Sequence, residues 1–301
     1  MQRVLISGST GLIGSALSDS LRSSGARVAT LTRSGGHDAP DAVRWDPTRA
    51  QIDSAHVEGF DVVVHLAGES VASGRWTDSK KARILTSRVE GTGLLAGTLA
   101  AAAVRPRVLV TASAVGIYGN RGDEWLDEDS PPGAGFLADV CGRWESAAAP
   151  ARQAGIRVVH LRFGIVLASS GGALQRMLPP FRLGLGGRLG PGRQFMSWIT
   201  LADAVRVILR VSEDDSISGP VNAVTPAPVR NIAFTRALGR ALRRPTLAAV
   251  PAAALRLAAG SMADEMLLAS QRVRPARLAA AGFEFLHPEL ETALHSVLDP
   301  G

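Results

Sequence analysis

The chain opens with a short apolar run, Val4-Leu5-Ile6, and then places three glycines in a G-x-x-G-x-x-G pattern at Gly8, Gly11 and Gly14. Ser15 to Arg22 follows, with Ala16, Leu17 and Leu21 at helical spacing. This order predicts a buried strand, a tight glycine turn and a helix N-terminus. The turn lets the backbone approach a ligand, and the free N–H groups and the helix dipole face it, which suits a pyrophosphate. A glycine turn with no ligand is the plain alternative. The flanking strand and helix weigh against it.

Strand and helix patterns alternate through the first two-thirds. Arg27–Thr32, Gly59–Leu66, Arg107–Thr111 and Arg157–Arg162 read as strands, and Ser79–Ala103 and Gly135–Ala154 as helices. Such alternation predicts an α/β fold, a doubly wound parallel sheet with right-handed crossovers. The last third differs. Ser170–Trp198 is rich in glycine and carries Pro179-Pro180; helices are expected at Leu201–Val211, Asn231–Leu242, Met262–Ser270 and Pro275–Ala281, and a strand at Val221–Val224. The expected division is a nucleotide-binding unit over residues 1–166, with 199–224 returning to it, and a smaller lobe from 167–198 and 225–301.

Of the 301 residues 46% are hydrophobic, ample for a core, yet the longest apolar stretch, near Leu247–Ala259, is interrupted by Pro251 and Arg256 and is too short to span a membrane. Met1 leads directly into the first strand, leaving no room there for a signal or transit peptide. With a single cysteine, Cys141, this predicts a cytoplasmic protein without disulfides. The histidines are scattered, so no metal site is expected. The net charge of +6 invites a nucleic-acid reading, but the arginines are spread along the chain without basic runs or interleaved aromatics, so no nucleic-acid partner is expected.

The glycine spacing resembles that of extended short-chain dehydrogenases/reductases, the group that includes sugar-nucleotide epimerases. His65-Leu-Ala-Gly68 is similar to that superfamily's fourth-strand element, and Ser87-Arg-Val-Glu-Gly-Thr92 to its Asn-Val-x-Gly-Thr helix motif, with Arg88 at the asparagine. The resemblance implies a Rossmann-like sheet with a small C-terminal substrate lobe. In NAD-using members an acidic residue ends the second strand; here Leu31-Thr-Arg-Ser34 has none, and Arg33 suits a 2′-phosphate, with Thr32 and Ser34 as hydroxyl donors. The implied cofactor is NADP(H). A surface loop arginine is the alternative for Arg33, and a solvated helix arginine for Arg88.

The superfamily's Tyr-x-x-x-Lys pair cannot exist here: the only tyrosine is Tyr118, residue 122 is Gly122, and the only lysines are Lys80 and Lys81. Setting Glu145 at the glutamate that often follows the lysine puts Cys141 at the lysine position and Leu137 at the tyrosine position. Ser113-Ala-Val-Gly-Ile-Tyr118-Gly resembles the Ser-x-x-x-Tyr-Gly segment, which makes Ser113 the substrate-orienting serine and Tyr118 a residue that reaches or underlies the substrate.

These departures, with Gly74-Arg-Trp76, Trp144-Glu145, Arg162-Phe-Gly-Ile-Val166, Pro180-Phe-Arg-Leu-Gly-Leu-Gly-Gly187, Ser197-Trp-Ile199 and Glu265-Met-Leu-Leu268, resemble the atypical "epimerase family protein" branch, which carries its own C-terminal domain. That branch implies cofactor contacts from Gly8, Thr10, Gly11, Leu12, Ile13, Gly14, Thr32, Arg33, Leu66, Ala67, Gly68, Arg83, Arg88 and Val166. Gln194 and Trp198 are candidates for the pocket of an unknown small-molecule substrate. Two functions stay open: an oxidoreductase or epimerase with an unconventional acid/base, and a catalytically silent NADP(H)-binding sensor. A homodimer is a prior carried by the superfamily.

Overall fold

The computed structural model describes residues 1–33, 41–52 and 54–298. Its centre is an eight-stranded sheet built from β1 (Arg3–Ser7), β2 (Arg27–Thr32), β3 (Ala42–Asp46), β4 (Gln51–Ile52), β5 (Val62–His65), β6 (Val108–Ala114), and, beyond the short β7 (Trp125–Leu126), β8 (Arg157–Phe163) and the later β13 (Gly219–Ala223). The spatial order is β13-β8-β6-β5-β1-β2-β3-β4. Every pairing is parallel except β3 with β4. The direction of winding reverses between β1 and β5, where ligands of such sheets bind.

Alternation along the strands explains the two cores. Val4 and Ile6 of β1, Val62 and Val64 of β5, and Val108 and Val110 of β6 point to one face, where Leu17 and Leu21 of α1 (Leu12–Ser23) pack. Leu5, Val63 and Leu109 point to the other, against Leu95 and Leu99 of α2 (Asp78–Ala101). Period-two alternation between two apolar faces makes the strands apolar throughout.

The helix expected over Gly135–Ala154 is two helices, α3 (Phe136–Ser146) and α4 (Ala149–Gln153). Pro150 has no N–H to continue α3 and sits instead in the first turn of α4. In the other direction, α5 (Gly172–Arg182) forms within the glycine-rich segment despite Pro179 and Pro180. Both prolines lie in its last turns, and Leu174, Leu178 and Phe181 bury one stripe against Trp198, Phe234 and Leu238. α6 (Leu201–Glu213) packs beside α1 on the main sheet, where it buries Ala204, Val207 and Ile208. The lobe around α5 contains β9 (Ile165–Leu167) paired with β12 (Trp198–Thr200), β10 (Gly187–Leu189), β11 (Phe195–Met196) with β14 (Val229–Arg230), and α7 (Asn231–Ala241). It continues through β15 (Ala248–Val250), which pairs with β10, α8 (Ala252–Ala259), β16 (Arg272–Val273), α9 (Ala276–Ala280) and α10 (Leu290–Leu298). The helix expected over Met262–Ser270 is only a π turn at Ala263–Leu267.

Candidate functional site

The glycine loop is set by packing against the end of β5. Gly8 holds φ at +71°, and a Cβ there would stand 2.8 Å from the Ala67 nitrogen. A Cβ on Gly14 would stand 2.2 Å from the Gly8 carbonyl oxygen, so α1 approaches the loop only because that atom is missing. Ser7 sews the two strand ends together. Its Oγ accepts the Leu66 and Ala67 N–H groups at 3.1 and 3.3 Å and donates to His65 Nδ1 at 2.6 Å. His65 is therefore an acceptor at Nδ1, and burial pulls its pKa down to about 4. It is a packed strand residue rather than a base facing solvent.

Two hollows meet at this loop. The first, about 390 Å³, is lined by Gly8, Thr10, Gly11, Thr32, Arg33, Leu66, Ala67 and Gly68 from the expected set. Ser34 lies outside the described residues. Glu69 also lines this hollow, and the sequence reading gave it no role. Its carboxylate accepts Lys80 Nζ at 2.6 Å, and this bond, ahead of the fields of Lys80, Arg83 and Arg33, holds its pKa below the ordinary range. Lys80 is buried and also donates to Ser73 Oγ at 2.7 Å. Arg83 lines neither hollow; its Nε lies 3.9 Å from Glu69, with the side chain 60% exposed.

The second hollow, about 640 Å³, shares Gly8, Gly11 and Leu66 with the first and takes in Leu12, Ile13, Gly14, Arg88, Ser113 and Val166. Arg88 forms part of its wall. Nη1 donates to the Glu69 carbonyl at 2.9 Å and the guanidinium lies over the Trp144 ring at 4.8 Å. Leu137 and Cys141, one helical turn apart on α3, both line the hollow, so the face that carries a tyrosine and lysine in the superfamily presents an apolar side chain and a thiol. Burial, and then the charge of Glu145, push the Cys141 pKa up to about 11, so at neutral pH it remains S–H.

Ser113, at the end of β6, donates its hydroxyl to Glu145 Oε1 at 2.7 Å. Arg162 of β8 grips the same carboxylate with Nε and Nη2, both at 2.9 Å. Burial works against the Glu145 charge, but Arg162 and Ser113 outweigh it and keep its pKa below the ordinary range. Arg162 Nη1 donates to the Tyr118 hydroxyl at 2.9 Å, and that hydroxyl donates to Asn222 Oδ1 at 2.7 Å.

Three expected residues lie away from the hollows. Tyr118 is 0% exposed, with its hydroxyl taken up between Arg162 and Asn222, and it lines neither hollow. Trp198 is also 0% exposed and gives its indole N–H to the Ala227 carbonyl at 3.1 Å. Gln194 ties the Leu189 and Leu267 carbonyls together through Nε2. Both sit within the packing of the lobe, away from the lining. The second hollow is completed instead by Val71, Gln175, Arg176, Glu265, Met266 and Gln271. Glu265 comes from the π turn and accepts the Phe136 and Leu137 N–H groups at 3.0 and 2.7 Å, closing the first turn of α3. No local pattern near Glu265 announces this; its partner is more than a hundred residues away. Chemically, the arrangement offers an anion cradle, a flanking cationic edge, and an apolar chamber with one well-held serine.

The family model described as "NAD dependent epimerase/dehydratase family" matches residues 4–223, and a domain of unknown function, DUF1731, matches residues 250–297. The chain belongs to the NAD dependent epimerase/dehydratase family. It is similar to an epimerase family protein of Mycobacterium bovis, at 44% identity over 99% of this chain and 98% of that one. The mouse epimerase family protein SDR39U1 is 37% identical over 98% of this chain and 99% of its own. A crystal structure of human SDR39U1 with NADPH superposes with a TM-score of 0.91 at 35% identity, covering 98% of this chain and 99% of that chain. A UDP-N-acetylglucosamine 4-epimerase from Bacillus cereus, at 16% identity and a TM-score of 0.77, shares the fold. Among the described residues no helix is long and apolar enough to cross a membrane.

Proposed function

We propose that the protein binds NADP(H) across the two hollows and acts on a small substrate as an oxidoreductase or epimerase. The observation that carries this is the cradle whose glycine positions leave no room for a Cβ, joined at the end of β2 to Arg33 rather than to a carboxylate. The NADPH held by human SDR39U1 supports the same cofactor here. The pyrophosphate would lie over Gly8 to Gly14 and the α1 N-terminus, with Leu66, Ala67 and Gly68 alongside. Arg33 and Thr32, with Arg83 nearby, would take the 2′-phosphate, and Arg88 and Val166 would flank the nicotinamide half. The nicotinamide supplies or accepts a hydride when bound.

Ser113 is the residue proposed to meet the substrate. Its own proton is committed to Glu145, so its oxygen faces the chamber as an acceptor for a substrate hydroxyl. A proton passing from that hydroxyl to Ser113 would move the serine proton onto Glu145, while Arg162 keeps the carboxylate oriented. A second reading, a catalytically silent NADP(H) sensor, is favoured by Leu137 and Cys141 on the face where the superfamily keeps its acid and base.

A fluorescence titration with NADPH and, separately, NADH tests the proposal. Tight NADPH binding is expected, and Arg33→Ala should weaken it by roughly tenfold or more while leaving NADH little changed. Failure to bind either cofactor overturns both readings. Hydride transfer from NADPH to a carbonyl panel, or from an alcohol panel to NADP+, lost in Ser113→Ala with cofactor affinity kept, separates the enzyme from the sensor.

A further inference from the structure

One surface of the C-terminal lobe has a composition that solvent exposure alone does not explain. From Leu247 to Leu257 the chain reads Leu-Ala-Ala-Val-Pro-Ala-Ala-Ala-Leu-Arg-Leu, apolar but for Arg256. In a folded protein such a run is ordinarily interior, yet here it forms β15 and α8 on the outside. Leu247 is 94% exposed and Leu257 80%, and Ala248, Ala249, Ala253 and Ala254 are exposed between them. A second apolar turn lies beside its start. Gly187 pairs with Ala248, and a Cβ on Gly184 would meet Pro245, so Leu183 and Leu185, 74% and 66% exposed, flank Leu247. Isolated surface leucines are ordinary, but exposed leucines gathered in one apolar run and the turn beside its start signal an interaction surface.

The charge around this surface has one sign. Arg182, Arg188, Arg243 and Arg244 border the leucines; all four are exposed and none makes an ion pair among the described residues. Neither stretch that builds the lobe at this point, residues 146–202 or 216–263, contains any Asp or Glu. Two carboxylates of the lobe are already engaged, Glu291 with Arg240 and Asp264 with Arg256.

We propose that this surface docks the protein on an anionic lipid bilayer, lying on it rather than spanning it. The arginines would meet the headgroup phosphates, and Leu183, Leu185, Leu247 and Leu257 would enter the headgroup–acyl boundary. Three observations favour a bilayer. A second copy would bring two unneutralised arginine borders together, which repel. The leucine surface carries no aromatic ring on which a nucleic-acid base could stack. Its side chains are leucine and alanine with few hydrogen-bonding groups, which suits a fluid apolar layer more than a protein surface that needs directional partners.

The test is co-sedimentation of the full chain with vesicles of phosphatidylcholine alone and of phosphatidylcholine mixed with phosphatidylglycerol. Binding is expected only to the mixed vesicles, falling steeply as salt is raised. Arg243→Glu with Arg244→Glu should weaken it by about tenfold or more. Leu247→Asp with Leu257→Asp should abolish it. All four positions are exposed, so the melting temperature and NADPH titration of both variants should match the parent and exclude misfolding. Absence of binding to mixed vesicles overturns the proposal, as does binding that ignores the leucine pair. A lipid-free dimer that Leu257→Asp dissociates, or an acidic protein competing for the parent surface without any vesicle binding, would assign the surface to that partner instead.

Discussion

Ser113 and Glu145 stand 2.7 Å apart, oxygen to oxygen, across the gap between β6 and α3, and the carboxylate is forked from below by Arg162. Ser113 lines the second hollow and Glu145 holds it by the hydroxyl, so the same three residues set both local stability and the orientation of Ser113.

Replacing Glu145 by Gln should therefore cost stability. Arg162 would keep its buried guanidinium without a counter-charge, and losing one partner of a buried pair costs about 3–5 kcal/mol. Urea denaturation measures it. A variant as stable as the parent would show that Arg162 finds another anion.

Acid should weaken the fold before the carboxylates titrate. His65 and His160 are buried, and burial lowers each from 6.5 to about 4. The unfolded chain then binds more protons than the folded one across that interval. The imidazole contribution is complete above pH 6.5 and is lost as pH falls toward 4, on the order of 3 kcal/mol for each ring. Glu145, with a lowered folded pKa, adds a loss at still lower pH. Melting temperatures at stepped pH check this; a flat profile between pH 6.5 and 5 would contradict it.

Cofactor choice should follow the end of β2. Arg33→Asp places a carboxylate where a ribose 2′-OH would donate to it and a 2′-phosphate would be repelled. Preference should invert from NADPH to NADH, read as a ratio of dissociation constants. An unchanged ratio would move the 2′-phosphate site away from Arg33.

The Cys141 thiol should be nearly inert in the folded protein. Its pKa near 11 and its burial leave little thiolate at neutral pH. Iodoacetamide should label it slowly in buffer and rapidly in denaturant, by intact mass. Fast labelling of the native chain would expose a thiolate at the cleft.

Removing the Glu265 carboxylate should loosen α3 from the C-terminal lobe. Glu265→Ala strips two N–H groups of their acceptor and should cost about 1–2 kcal/mol. Hydrogen exchange at Phe136 and Leu137 should rise; unchanged protection would mean the cap is replaced from elsewhere.

The sequence by itself determined the glycine cradle, the alternation of strands and helices, the missing carboxylate at the end of β2 and the missing Tyr-x-x-x-Lys pair, because each is written in neighbouring residues and local periodicity. It did not determine which side chains line the substrate chamber. Tyr118 reads as a site residue from its segment, but Asn222, 104 positions later, takes its hydroxyl away from the cleft. Glu265 reaches α3 across 128 positions and enters the lining without any local signal. Trp198 follows the same logic, since its burial depends on α5, α7 and α10 closing over one core, and Gln194 is held by the distant Leu267 carbonyl. Local sequence sets backbone conformation through short-range sterics and hydrogen bonds. Only the packing of distant elements decides which polar groups are used up inside and which remain facing the cleft.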